Sequence, residues 1–258
     1  MRSLSFNRAA SLVVACAILA ACGDSTAPTP KLTAVDSLLL EVSAGLSPAA
    51  TAATFAGGGG TVASSSIPSA ASCPFNSSNQ RFECPSTTAN GLTFTFSYQL
   101  LDGSSRPQSA FNATTTAAIR MMSDMSGTTP LSGAASGTVA LTGHDDQTLS
   151  GLLTTTRTLN GTGNSTATIV SNGTTVTVTT ASTTTNLVLP APGSSNQYPR
   201  SGTIAMDITS AAGGVSSTSH ITITFNGTST MTMVMTAGGT TQTCTFDMAN
   251  SSVEPSCH

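Results

Sequence analysis

The alternation of apolar and polar residues is clearest in Ser219-His-Ile-Thr-Ile-Thr-Phe-Asn-Gly-Thr-Ser-Thr-Met-Thr-Met-Val-Met235. Apolar residues occupy every second position of its two halves, at Ile221, Ile223 and Phe225 and at Met231, Met233 and Met235. Because successive side chains of a β-strand point to opposite faces, this pattern predicts two strands that each bury one face. The Asn226-Gly227 pair between the two halves is a strong hairpin signal.

The register of this hairpin is predicted from the parity of the apolar positions. Both apolar sets lie at odd positions, so they share a face only if the loop has an odd number of residues. A three-residue loop at 225–227, with Gly227 in the left-handed conformation, meets this condition and pairs Thr224 with Thr228. A turn at Ala237-Gly238-Gly239 then leads into another alternating strand, from Cys244 to Met248.

The same scheme recurs through most of the chain. Strands are predicted at 91–102, 117–126, 137–144, 148–159, 165–170, 174–189 and 202–209, with turns at Asn160-Gly161, Asn172-Gly173 and Ala212-Gly213-Gly214. Short connections favour an antiparallel up-and-down meander, because parallel strands need long crossover connections. The sequence therefore predicts a mainly β protein of about nine or ten strands.

A sheet of this size with one apolar face and one Thr/Ser-rich face is expected to curve. Open, strongly twisted sheets of many strands curl, close or split. We therefore expect a curved sheet, a half-barrel or a barrel, with the apolar face inside. A two-sheet β-sandwich gives the same alternation and is the alternative.

The amino terminus has the features of an export signal. Arg2 and Arg8 form a basic region that precedes an apolar stretch from Ala9 to Ala20, and the stretch ends in Leu19-Ala20-Ala21-Cys22. This ending resembles the lipobox of bacterial lipoproteins, and the resemblance covers about the first 25 residues. It implies removal of residues 1–21, a lipid on Cys22 and anchoring in the cell envelope, and Gly23 favours the outer over the inner membrane. The alternative is an ordinary secretory signal that contains a cysteine.

The region between the signal and the strands divides into three parts. Residues 22–31 are a Ser/Thr/Pro-rich tether, and residues 49–72 are an Ala/Gly/Ser-rich linker. Between them, residues 32–48 have helical periodicity, with Val35, Leu38, Leu39, Val42 and Leu46 on one stripe. We expect this amphipathic helix to pack on the apolar face of the all-β domain, residues 73–258.

Four cysteines follow the predicted lipid-bearing one, at Cys73, Cys84, Cys244 and Cys257. In an oxidising compartment they allow three pairings. Each neighbouring pair surrounds a polar turn between short apolar pieces, so we expect the local disulfides 73–84 and 244–257. The alternative joins Cys84 to Cys244. Metal ligation is not expected, because no Cys-x-x-Cys spacing occurs.

Two sets of residues are candidates for chemistry. His144-Asp145-Asp146 combines a histidine with two carboxylates and is a weak metal or acid–base candidate. Adjacent residues of a strand cannot all face one way, and a solvated turn is the favoured interpretation. Met231, Met233 and Met235 would place three thioethers on one face, which suits Cu(I), but core packing or an apolar-ligand lining is favoured.

These observations favour a binding module over an enzyme. Only 7% of the residues are charged, tryptophan is absent and no basic cluster occurs, so nucleic-acid binding is excluded. No nucleophile motif is found, and no cofactor is expected. We expect a lipid-anchored envelope protein without catalytic activity that binds an apolar ligand or lipid. The expected lining comprises Met206, Ile221, Ile223, Met231, Met233 and Met235.

Two other functions remain as alternatives. The first is a structural or adhesion module of the envelope whose β core is fully packed. The second is an enzyme that uses His144, Asp145 and Asp146. Neither a protein partner nor the identity of a ligand follows from the sequence.

Overall fold

The computed structural model describes residues 73–131, 137–190, 194–196, 198–249 and 256–257. The predicted signal peptide, tether, helix and linker lie outside the described residues. Within the described residues the regular structure consists of β-strands. No helix in this part of the chain has the length and apolar character needed to cross a membrane.

Fourteen strands follow one another along the described chain. They are β1 (Phe75–Asn76), β2 (Arg81–Glu83), β3 (Thr87–Ala89), β4 (Leu92–Asp102), β5 (Pro107–Gln108), β6 (Thr116–Pro130), β7 (Gly137–Ser150), β8 (Arg157–Ser171), β9 (Thr174–Leu189), β10 (Ser201–Ala212), β11 (Val215–Phe225), β12 (Thr230–Ala237), β13 (Thr240–Asp247) and β14 (Ser256–Cys257). Nine of them, β4 and β6 to β13, have eight or more residues. The other five are pieces of two or three residues that the alternation did not predict.

All fourteen strands belong to one antiparallel sheet. From β6 to β14 every strand pairs with its neighbours in sequence, and β1, β2 and β4 extend the sheet on the other side of β6. The short strands β3 and β5 both pair with β4. The antiparallel up-and-down meander is therefore confirmed. The described strands form neither two sheets nor a closed ring, so a sandwich and a fully closed barrel are both wrong for this part of the chain.

Two predicted interruptions of the strands are absent. Strand β7 continues through 145–147, and β8 continues through Asn160-Gly161. The predicted strands 137–144 and 148–159 and the turn at Asn160-Gly161 are therefore wrong. β7 is paired with β6 and with β8 over its full length, so ladder hydrogen bonds on both sides outweigh the local turn preference of these residues.

Three of the predicted glycine turns are present. Asn172 and Gly173 join β8 to β9 with φ values of 50° and 77°, the left-handed pair that a two-residue hairpin of this kind requires. Two-residue Gly-Gly turns join β10 to β11 and β12 to β13.

The hairpin between β11 and β12 differs from the prediction. Thr224 lies opposite Thr232 rather than Thr228, a displacement of four residues. The side chain of Asn226 accepts hydrogen bonds from the backbone N–H of Thr228, at 3.0 Å, and from its hydroxyl. The loop closed by the Thr224–Thr232 pair therefore spans residues 225–231, seven residues instead of the predicted three. An even displacement keeps Ile221 and Met235 on one face, as predicted.

One face of the sheet, the buried face, carries the core. Its main cluster includes Phe82 and Tyr98 near one end of the sheet and Met233 and Phe246 near the other. The Phe82 and Tyr98 rings stack with centroids 4.7 Å apart. A smaller cluster joins Leu92, Met125, Leu131, Val139, Leu141, Ala167 and Ile169. The opposite face, the exposed face, is rich in threonine and serine.

Candidate functional site

One row of residues crosses the buried face from β2 to β13, each member opposite the next. This central row comprises Phe82, Tyr98, Met121, Gln147, Gly161, Thr184, Ile204, Ile223, Met233 and Cys244. It is apolar at both ends and polar only at its three middle positions, Gln147, Gly161 and Thr184. The middle of the apolar face therefore contains a polar interruption.

The adjacent row of residues is also polar or lacks a side chain in the middle of the buried face. Asp145 lies opposite Gly163, and Gly163 lies opposite Ser182, on the same three strands β7, β8 and β9. These two rows together form the central polar patch, which comprises Asp145, Gln147, Gly161, Gly163, Ser182 and Thr184. Three of its four polar side chains are deeply buried, with exposed fractions of 3% for Asp145, 0% for Gln147 and 2% for Thr184, and Ser182 is partly buried.

Gln147 is held over β8 by a defined set of contacts. Its Nε2 donates a hydrogen bond of 3.0 Å to Asp145 Oδ1. Its Oε1 is buried and has no hydrogen-bond partner among the described residues. A Cβ at position 161 would lie 2.5 Å from this oxygen, so the absence of a side chain at Gly161 provides the space that Gln147 occupies.

Gly163 provides the corresponding space beside Asp145. A Cβ at this position would lie 2.8 Å from both Asp145 Oδ1 and Ser182 Oγ. Glycine in a strand often marks a place where another group approaches closely, and side chains of the neighbouring strands occupy the space beside positions 161 and 163. The two glycines therefore allow polar side chains of β7 and β9 to lie over β8.

A bulge in β9 determines which of its threonines belong to the patch. Leu187 lies opposite Leu159, whereas Thr184 lies opposite Gly161, so two residues of β9 are inserted against Asn160 alone. Asn186, at the bulge, has a φ of 48°. Bulges reorient side chains and are frequent beside functional sites. Here the bulge places Thr184 on the same face as Leu187.

The structure separates the predicted cluster His144-Asp145-Asp146. Asp145 is on the buried face, while His144 and Asp146 are on the other, as strand alternation requires. The interpretation as a solvated turn is wrong, because the three residues lie within β7. Among the described residues no group of three or more His, Cys, Asp or Glu side chains is placed to hold a metal ion.

The exposed-face members of this cluster have partners on β6. Arg120 Nε donates a 2.8 Å hydrogen bond to Asp146 Oδ1, and this contact holds the pKa of Asp146 below its usual value. The same contact raises the pKa of Arg120. His144 Nδ1 lies 2.6 Å from Asp124 Oδ1. These pairs link β6 and β7 across the exposed face.

The predicted lining residues lie together on the buried face. Ile221, Ile223, Met231, Met233 and Met235 are all buried in the main core cluster, and Met206 is partly buried against it. Met206 lies opposite Ile221, and Ile221 lies opposite Met235, so the set forms one contiguous surface across β10 to β12.

Arg157 is a residue that sequence reasoning missed. It begins β8 and lies opposite Leu189, with an exposed fraction of 9%. Its Nε has no hydrogen-bond partner among the described residues, and burial lowers the pKa of the guanidinium. Alternation with Leu159 places it on the buried face, beyond the apolar pair Leu159–Leu187.

Both predicted disulfides are present. Cys73 bonds to Cys84, and Cys244 bonds to Cys257. The first closes the segment that contains β1 and β2, and the second joins β13 to β14. The alternative bond between Cys84 and Cys244 is therefore wrong.

Comparison of the chain with models of known protein families, with curated proteins and with solved structures gives no match. Function must therefore be argued from the arrangement of the residues themselves.

Proposed function

We propose that this chain is a lipid-anchored protein of the cell envelope that binds an apolar ligand without catalysing a reaction. In this proposal the sheet curves into a half-barrel with its buried face inside, and the helix predicted at 32–48 packs across the open side. The lipid on Cys22 would hold the domain at a membrane, with the outer membrane favoured.

The composition of the buried face is the observation that carries the proposal. Met121, Met206, Met231, Met233 and Met235 lie among isoleucines on this face. Methionine is flexible and polarisable, and it is used at surfaces that adapt to different apolar shapes. A core built only for rigidity favours branched residues with fewer conformations. The methionines therefore support a ligand surface over a fully packed structural core.

The polar interruption gives a second argument for a ligand. A purely structural core has little reason to bury Gln147 and Thr184 with oxygens that lack partners among the described residues, because each such atom is costly. Ligand pockets, in contrast, are mostly apolar with a few placed polar groups. The two disulfides fit an oxidising compartment such as the envelope.

The test is native mass spectrometry of residues 23–258 exported to the periplasm, followed by organic extraction of any molecule that co-purifies. This form omits only the predicted leader and anchor cysteine. A defined lipid or other apolar mass supports the proposal. A bare polypeptide with two disulfides would instead favour the packed structural module.

Two tryptophan substitutions on β10 provide a matched comparison. Met206→Trp introduces an indole on the buried face, whereas Ala205→Trp introduces the same side chain on the exposed face. We expect Met206→Trp to reduce the co-purified mass and Ala205→Trp to leave it unchanged. The native chain has no tryptophan, so fluorescence of the introduced indole also reports whether each side chain is in an apolar environment.

A further inference from the structure

We propose that the central polar patch binds a hydrogen-bond donor of the ligand, a hydroxyl or an amine, and discriminates against a carboxylate. This inference rests on the proposed function and specifies its ligand as an amphiphile. The donor would contact Gln147 Oε1 on β7 and Thr184 Oγ1 on β9, and the apolar part would lie along the flanking side chains.

The first argument is the orientation of Gln147. Its Nε2 is engaged by Asp145 Oδ1 at 3.0 Å, so exchanging the amide oxygen and nitrogen would bring two acceptors together. Oε1 is therefore directed towards Gly161, where it has no partner among the described residues. A carbonyl oxygen can only accept, so the group that completes it must donate.

The second argument is the position of Thr184. Its Oγ1 is also buried and has no partner in the described part of the chain. Thr184 and Gln147 are the two neighbours of Gly161 in the central row. Because Gly161 has no side chain, the Gln147 amide lies over it, on the side of the row that leads to Thr184. One small group that reaches both oxygens can complete them, since a hydroxyl can donate to Gln147 while it accepts from Thr184.

The third argument is the charge around the patch. Asp145 supplies a carboxylate on the same face, two positions from Gln147. The nearest cationic side chain along β8 on this face is Arg157, which lies beyond Leu159 from Gly161. A ligand carboxylate at the patch would meet the acceptor oxygen of Gln147 and lie beside the carboxylate of Asp145. Like charges in a buried site repel strongly, so a neutral or cationic donor is preferred.

The fourth argument is the apolar surface on both sides. Met121 precedes Gln147 in the central row, and Ile204 follows Thr184. A bound molecule that reaches the patch must therefore also cover apolar side chains. An alcohol or amine with a long hydrocarbon chain has both required parts.

The experiment compares three ligands that differ only at one end. Hexadecan-1-ol, hexadecylamine and hexadecanoic acid compete with the uncharged fluorescent probe N-phenyl-1-naphthylamine for residues 23–258. Thr184→Val removes the hydroxyl with little change of volume, and Thr184→Ser retains it. Thr183→Val is the matched control, because Thr183 is exposed on the opposite face of β9.

We expect the alcohol and the amine to bind about tenfold more tightly than the acid, and Thr184→Val to weaken the alcohol about fivefold. Probe affinity should stay unchanged, and Thr184→Ser and Thr183→Val should behave as wild type. Equal competition by all three ligands, unaffected by Thr184→Val, would mean that the patch holds only water, and would overturn this inference while leaving the proposed function. Absence of any probe binding would overturn both.

Discussion

The side-chain oxygen of Asn160 on β8 accepts a 2.7 Å hydrogen bond from the backbone N–H of Asn186 on β9. Asn186 is the residue with positive φ at the β9 bulge. A residue in this conformation cannot continue the regular ladder, and the Asn160 side chain supplies the partner that the ladder does not. The contact therefore stabilises the β9 bulge, and the bulge places Thr184 on the buried face.

Replacement of Asn160 by alanine removes that acceptor. We expect Asn160→Ala to lower the free energy of unfolding by about 1 kcal/mol, the usual contribution of one hydrogen bond. Urea unfolding followed by circular dichroism measures the change. Asn164→Ala is the control, since Asn164 is an exposed asparagine of the same strand, and its effect should stay within about 0.5 kcal/mol. Equal losses in both variants would mean that the bulge does not depend on Asn160.

Gly161 is expected to be intolerant of any side chain. A Cβ at this position would overlap the backbone oxygen of Asp146 and crowd Gln147 Oε1, so β8 or Gln147 must move. We expect Gly161→Ala to cost about 1–3 kcal/mol, the typical cost of overpacking. Thermal and urea unfolding measure the loss.

Gly103→Ala is the matched control for this substitution. A Cβ at Gly103 meets nothing within 4 Å. Its effect should therefore stay within about 0.5 kcal/mol. A Gly161→Ala protein as stable as Gly103→Ala would contradict the described packing of Gln147 over β8.

The contact between Arg120 and Asp146 predicts a pH-dependent contribution to stability. The pKa of Asp146 is lower in the folded state than its usual value, so the folded chain binds this proton less tightly than the unfolded chain does. The contribution of this ion pair to the free energy of unfolding is complete at pH values above the usual carboxyl pKa of about 4. It is lost as the pH falls through the lowered pKa of Asp146. Because both side chains are partly exposed, we expect only about 0.5 kcal/mol.

Asp146→Asn tests this expectation by comparison with wild type at pH 7 and pH 2.5. The difference in free energy of unfolding should be present at pH 7 and should approach zero at pH 2.5. Together with the single variants Arg120→Met and Asp146→Asn, the double variant Arg120→Met/Asp146→Asn completes a double-mutant cycle. The cycle isolates the interaction energy of the pair. A difference that stays constant between the two pH values would exclude the ionised carboxylate as its source.

The disulfide between Cys244 and Cys257 closes a segment with a sequence separation of 13. Loop closure of this length restricts the unfolded chain, so Cys244→Ala/Cys257→Ala is expected to lower the free energy of unfolding by about 3 kcal/mol. Urea unfolding of the oxidised protein and the double variant gives the value. Reduction of the double variant should then cause only the further loss due to Cys73–Cys84. A double variant as stable as the oxidised protein would contradict the expected effect of loop closure.

The alternation of apolar and polar residues predicted the strands, because a strand that buries one face carries apolar side chains at every second position. Ile221, Ile223, Met231, Met233 and Met235 share a face as expected. Their register was not predictable in the same way, since a displacement of two or four residues leaves every side chain on its face. The loop chemistry of Asn226 and Thr228 decided between these registers.

The central polar patch was not predicted because its residues interrupt the pattern that identifies strands. Asp145 and Gln147 read as turn residues in isolation, and only their pairing partners hold them in β7. One signal was present in the sequence. The apolar positions of β9 change from even, at Val176 and Val178, to odd, at Leu187 and Leu189, which requires an inserted residue between them.

Both lateral ends of the sheet are two-residue strands, β1 and β14, and each is tied back by a disulfide to the strand beside it or to the segment that follows. An unprotected edge strand offers its free N–H and C=O groups as a template for another chain. Reduction would release β14 from Cys244 and Thr245 of β13 and open such a template at one end. Loss of the Cys244–Cys257 bond is therefore expected to leave β13 more open to pairing with a strand of another chain.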